Sequence, residues 1–184
     1  MKRVLVPLFM LCSLSFSGCF IIPSAVEDER PLSTQYDDAG IKTDIAADLL
    51  EENATQANGV NVHCFEGQVF LIGEAEKSFR AFAVGTASKT NGVIHVTPHW
   101  FPPGTGDTIH DAGLEADIDA ALLFTKDLPS TQVVVDVWGG HVVLTGIMKN
   151  QTDIEKAISV AKGVKGVKSV TSYLFPSGTG GTAE

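Results

Sequence analysis

The chain has 184 residues, and its 13 Lys and Arg stand against 22 Asp and Glu for a formal net charge of −9. Such acidity gains nothing from the counterion release that drives nucleic-acid binding, and it excludes a blanket attraction to anionic lipid. Any lipid contact therefore needs a local basic or apolar patch.

Residues 1–18 read as a secretory signal of the lipoprotein type, with Lys2 and Arg3, an apolar run from Val4 to Phe16, and Ser17-Gly18 before Cys19. The run is shorter than the ~20 residues of a transmembrane helix. Small residues before a cysteine resemble a bacterial lipobox, with Phe16 where an aliphatic residue is usual, and imply cleavage before Cys19 and its acylation. Phe20 in place of aspartate then favours the outer membrane, whereas a chain left unacylated would be soluble in the periplasm. Losing Lys2 and Arg3 takes the charge to −11, with 11 basic and 22 acidic residues. Cys64 is then the one cysteine without lipid, and it reads as a small core hydrophobe.

Residues 19–36, with Pro23 and Pro31 and little periodicity, read as an extended tether. Asp38-Ala-Gly-Ile-Lys-Thr-Asp-Ile-Ala-Ala-Asp-Leu-Leu50 follows and returns as Asp111-Ala-Gly-Leu-Glu-Ala-Asp-Ile-Asp-Ala-Ala-Leu-Leu123, at an offset of 73 residues. The offset carries Val60, Val62, Gly67, Val69, Leu71 and Gly73 onto Val133, Val135, Gly140, Val142, Leu144 and Gly146. After one insertion, Gly92, Val93 and Val96 fall on Gly166, Val167 and Val170. A register held this far is a duplicated domain. The units are 37–101 and 111–175, joined by a linker at 102–110 and followed by a flexible tail at 176–184.

Within each unit Ile41, Ile45 and Leu49, or Leu114, Ile118 and Leu122, line one face of a first helix, and Asp38 and Asp111 are expected at its N-terminus as caps or favourable charges. Asp44, Asp48, Glu51 and Glu52 form a solvated outer face. Val60, Val62 and Cys64 alternate into a strand, Glu66-Gly67 turns, and Val69 and Leu71 begin the next; Val133 to Leu144 repeats this around Gly139-Gly140. A second helix runs from about Ser78 to Lys89, with Phe82, Ala83, Val84 and Ala87 inward. Its copy starts with a capping box at Thr152 to Glu155 and buries Ile154, Ala157, Ile158 and Ala161. Last strands span Val93 to Trp100 and Val167 to Phe175. The fold class is α+β, two tandem αββαβ domains, each a three-stranded mixed sheet with two helices on one face.

Asp-Ile in the first helix, Val-x-Val, a glycine turn, Val-x-Leu-x-Gly, and Gly-Val-x-x-Val after the second helix resemble the BON domain (bacterial OsmY and nodulation). Both copies match, and the layout is similar to the dual-BON-domain outer-membrane lipoproteins of the DolP type. The resemblance implies a non-enzymatic protein that binds an anionic phospholipid membrane surface and supports outer-membrane integrity or osmotic stress protection. In the lipoprotein relatives lipid contact centres on the first helix of the second domain, which here carries Glu115, Asp117 and Asp119. Other envelope proteins are the second partner class it implies; no nucleic acid, small-molecule substrate, cofactor or metal is expected. A periplasmic protein-interaction adaptor without lipid recognition is the alternative.

Candidate residues follow from the side chains. Lys162, Lys165 and Lys168, with Lys156 earlier and Lys126 nearby, form a basic run that serves either the helix C-terminus or lipid phosphate. Phe65, Phe70, Ile72, Trp138 and Val143 make the sheet faces away from the helices too apolar for solvent, so these faces dock the domains together or onto a partner, with Trp138 also a candidate for membrane insertion. His95 and His99 are too far apart along a strand to share a metal; His63 could approach His95 from a neighbouring strand. Neither a nucleophile elbow nor a phosphate loop is present, and the acidic pairs sit on an exposed helix face.

Overall fold

A computed structural model describes residues 31–177. The signal, Cys19, most of the tether and the tail beyond Ser177 lie outside that range. The elements run α1 Leu32–Ala57, β1 Val60–Phe65, β2 Gln68–Gly73, α2 Lys77–Ala87, β3 His95–Trp100, then α3 Thr108–Leu123, β4 Val133–Trp138, β5 His141–Met148, α4 Gln151–Gly163 and β6 Ser169–Pro176. Among the described residues no helix is long and apolar enough to cross a membrane.

Each half is one αββαβ unit with a mixed three-stranded sheet. The orders are β1-β2-β3 and β4-β5-β6; the first pair in each is antiparallel and the second parallel. The parallel pair exists because α2 or α4 carries the chain back across the sheet, as a parallel connection requires. Ile41, Ile45 and Leu49 pack with Ala83, Ala87, Val69 and Leu71 in the first core, and Ile118 and Leu122 with Ala157, Ala161, Val142 and Leu144 in the second. Phe79, which the periodicity did not single out, is also in the first core.

The hairpins have the predicted two-residue turns. Glu66 and Gly67 stand at φ 51° and 73°, Gly139 and Gly140 at 56° and 82°, the left-handed pair that matches the twist of the flanking strands. The strand-ending glycines are required by space as well as conformation. A Cβ on Gly73 would lie 2.0 Å from the Gly59 oxygen, and one on Gly146 1.9 Å from that of Gln132.

Several boundaries differ from expectation. Helix α1 starts at Leu32, so the last residues assigned to the tether are helical; α3 starts at Thr108, inside the assigned linker. The last strands begin at His95 and Ser169, two residues later than expected. The cap of α4 is Asn150, whose Oδ1 accepts from the Asp153 amide at 2.9 Å, so Thr152 lies within the helix and does not open it. Near its end α1 breaks at Asn53 (φ −161°, ψ 99°), whose side chain accepts from Gln56 N and starts a further turn. The linker is held: Glu74 accepts from the Gly104 and Gly106 amides at 2.6 and 2.7 Å.

The two sheets meet face to face away from their helices. Phe65, Phe70, Ile72, Phe101, Val143 and Ile147 form a third core, bordered by Val134, Trp138, Tyr173 and Phe175. Two contacts define its symmetry. His63 Nε2 lies 2.9 Å from Asp136 Oδ2, and His99 Nδ1 lies 2.9 Å from the Tyr173 hydroxyl. Asp136 is the repeat counterpart of His63, and Tyr173 that of His99. Residues that touch their own counterparts lie on a two-fold axis, so the halves are related by a pseudo-dyad and their contact is isologous.

Candidate functional site

A cleft recurs in both domains at the start of the first helix, where that helix, the hairpin turn and the glycine loop before the last strand converge. In the second domain it encloses 620 Å3, lined by Ile109, His110 and Leu114 of α3, by Gly139 and Gly140, and by Lys165, Gly166 and Lys168. In the first it encloses 750 Å3, and Tyr36, Asp37, Ile41, Glu66, Gly67, Asn91, Gly92 and Ile94 hold the equivalent places.

The floor of each cleft is a buried aspartate. Asp111 accepts from the Asp107, Gly139 and Gly140 amides at 2.7, 2.7 and 3.0 Å. Asp38 accepts from Glu66 N and Gly67 N, both at 2.9 Å, and from the Cys64 thiol at 3.3 Å. Of the two roles expected at the helix N-terminus, cap or favourable charge, Asp111 has the second, in the first turn of α3, and Asp38 lies too far inside α1 for either. They are clamps that tie α1 and α3 to the hairpin turns, while the cap of α3 is Asp107, accepting from His110 N. That amide, and the His110 ring beside it, hold the Asp107 carboxyl below its usual pKa. No local pattern marks the clamp, and its one trace in the sequence is an aspartate repeated 28 residues before each turn. Cys64 is a buried core residue as read, with its thiol turned to this clamp.

Above the floor the copies differ in charge. Where the first cleft has Asn91, Ile94 and Glu66, the second has Lys165, Lys168 and Gly139. The first has Asp37, Asp44 and Glu66 on its walls and no basic side chain. In the second the Lys168 ammonium donates to the Gly139 oxygen at 2.6 Å, so its stem lies over the turn. Ile109 stands at the rim with 85% of its surface exposed, as Tyr36 does at 78% in the first domain. Asp107, Asp111 and Asp117 share the second cleft with the lysines, and the carboxylate of Asp111 is already engaged.

The lysines do not form one patch. Lys165 and Lys168 line the cleft, and Lys162 is exposed in the last turn of α4. Lys126 lies past the far end of α3, about 24 Å along the helix from its start, where its carbonyl accepts from Lys156 Nζ at 2.5 Å. Trp138 stacks on Phe101 with ring centroids 5.3 Å apart, half-buried at the domain seam together with Phe65, Phe70, Ile72 and Val143.

His63 and His95 are on β1 and β3, with β2 between them, so the approach considered from neighbouring strands does not occur. His63 turns instead to Asp136, which also accepts from Asn61 Nδ2 at 2.6 Å. Glu115 lies close to this cluster; burial first, then the charges of Asp136 and Asp119, raise its pKa, and burial raises that of Asp119. Among the described residues no group of three or more His, Cys, Asp or Glu is placed to hold a metal ion.

The family description BON domain matches residues 37–99 and 110–174, one match on each αββαβ unit. The chain belongs to the BON family. The osmotically-inducible protein Y of Escherichia coli (strain K12) is 31% identical over 144 residues, covering 75% of this chain and 72% of that protein. The 21 kDa hemolysin of Actinobacillus pleuropneumoniae is 27% identical over 153 residues, 80% of this chain and 78% of the hemolysin. CdsD, a structural protein of the type III secretion system of Chlamydia trachomatis, aligns over 78% of this chain and 66% of its own with 14% identity and a TM-score of 0.32. In BON terms, the sheets pack the two domains back to back and leave both clefts on the outside.

Proposed function

We propose that this dual BON protein is a non-enzymatic component of the cell envelope that binds an anionic phospholipid surface through the cleft of its second domain. The observation that carries the reading is the exchange of Asn91 and Ile94 for Lys165 and Lys168 in an otherwise repeated cleft. Two exposed lysines, Lys168 with one donor on the Gly139 carbonyl, stand beside the exposed Ile109 and suit a headgroup phosphate above and an acyl boundary below, a local patch of the kind an acidic chain needs. Acylation of Cys19 would hold the protein at the periplasmic face of the outer membrane, and similarity to an osmotically inducible protein supports a part in envelope integrity or osmotic stress protection.

Flotation with anionic and neutral liposomes tests the reading. At ~1 kcal/mol per lysine near an anionic surface, Lys162→Gln, Lys165→Gln and Lys168→Gln together lower binding about a hundredfold and remove its salt dependence. Binding that neither the substitutions nor salt alters would exclude the cleft. The adaptor reading has its own support, because the first cleft pairs acidic walls with exposed Tyr36 and Ile94 and so suits a cationic protein segment.

A further inference from the structure

The outer edges of β3 and β6 are equivalent places in the repeat, and the sequence treats them differently. In a parallel pair, alternate residues turn both backbone groups to the neighbour and the rest turn theirs outward. Phe101 N bonds the Gly73 oxygen and Ser177 N the Met148 oxygen, which fixes the parity of each strand. Val96, Pro98 and Trp100 therefore point their backbone out from β3, and Val170, Ser172 and Leu174 point theirs out from β6. Proline at an outward position costs the sheet no hydrogen bond and removes the donor another strand would use, so Pro98 closes the first edge. Its counterpart is Ser172, which keeps its amide.

We propose that the outer edge of β6 pairs antiparallel with β6 of a second copy of this chain, centred on Ser172, so that two three-stranded sheets join into one. The strand is complementary to itself. About that centre Ser172 faces Ser172, and Val170 faces Leu174 of the second copy, a serine pair flanked by two aliphatic pairs on the helix side of the sheet. From Ser169 to Pro176 the strand has no charged residue, so a chain of net charge −9 places no like charges opposite one another there. The outward amide of Leu174 now reaches the Ser172 hydroxyl at 3.3 Å, a long bond that the second copy's Val170 carbonyl would replace. Pro176, also at an outward position, ends the pairing on one side, which fixes its length. An edge this short buries less than the ~1,200 Å2 of a stable complex, so the dimer is weak and forms as concentration rises.

The three cores found among the described residues all lie within residues 31–177. Sedimentation equilibrium of that span should show its mass moving from monomer toward dimer with concentration. Amide exchange at Val170 and Ser172 should slow in parallel. Ser172→Pro, which copies the residue the first domain already has, should leave a folded monomer by circular dichroism. Ser172→Lys, which sets two charges opposite each other without touching the backbone, should weaken association at least about tenfold. A wild-type span that stays monomeric, leaving the edge to another protein's strand or to none, overturns the proposal. So does a dimer that both substitutions leave intact, or one whose Val170 and Ser172 amides exchange as fast as in the monomer.

Discussion

Asp38 and Asp111 are the residues through which the duplicated sequence acts on the fold. Each is buried in the first helix of its domain and uses both carboxylate oxygens on the hairpin turn, fixing helix against sheet at the mouth of the cleft. Removing such an acceptor strands buried amides, a loss of about 2–3 kcal/mol for bonds to a charged group. Asp111→Ala should lower unfolding free energy in urea by that amount, and Asp111→Asn, which keeps one acceptor oxygen, by less. The repeat showed that this aspartate matters but not how. An aspartate ahead of an apolar helical stripe has the local pattern of a cap, and its true partners lie 28 residues on, where only folding brings them. The clamp also positions Lys168, whose ammonium bonds the carbonyl of the turn that Asp111 holds, so damage to the floor should spread to the lysine-bearing wall of the cleft.

At the scale of elements, alternation and helical periodicity were enough to find every strand and helix, because each element buries one face and the pattern of that face survives in the sequence. Helix ends were less legible. A start depends on which of several nearby polar residues turns its side chain to the backbone, and Asn150, Thr152 and Asp153 all qualify by type. Since Asn150 is the residue that caps α4, Asn150→Ala should cost about 1 kcal/mol in chemical denaturation and Thr152→Ala much less. The early start of α1 has a comparable cause. Leu32 to Tyr36 add a turn and a half that packs little of its surface, so the sequence there has no apolar stripe to betray a helix.

For the whole molecule the third core is the decisive feature. Fully burying side chains such as Phe70, Ile72 and Val143 is worth about 1.5–3 kcal/mol each, so the domains are held as one body and not as beads on a tether. The seam also makes stability depend on pH. Burial lowers the pKa of His99 from 6.5, so the folded state favours the neutral ring, whose Nδ1 can accept from the Tyr173 hydroxyl. Below pH 6.5 the unfolded chain takes up a proton that the folded chain resists, and this contribution to stability falls as pH drops through the folded pKa. A thermal melt of the wild type should therefore lose more between pH 7.5 and pH 5.5 than one of His99→Gln, which retains an acceptor but does not titrate; equal losses would remove His99 from the account. Tyr173, its pKa raised from 10.0 by burial, acts in the opposite direction above pH 10, where the unfolded chain ionises first.

Two αββαβ units, their helix-side cores and their hairpin turns follow from short-range pattern alone, because the period of burial and the conformational demands of a two-residue turn are local properties repeated at a fixed offset. The apolar sheet faces announced a cover, each other or a partner, and the tertiary structure decided for each other, about a dyad through His63 and Asp136 and through His99 and Tyr173. The same holds for the separation of Lys126 from Lys165 and Lys168, and for the clamp beneath the cleft. Those relations join residues far apart along the chain, and their geometry comes into being only on folding, inside each domain for the clamp and the lysines and between the two domains for the dyad.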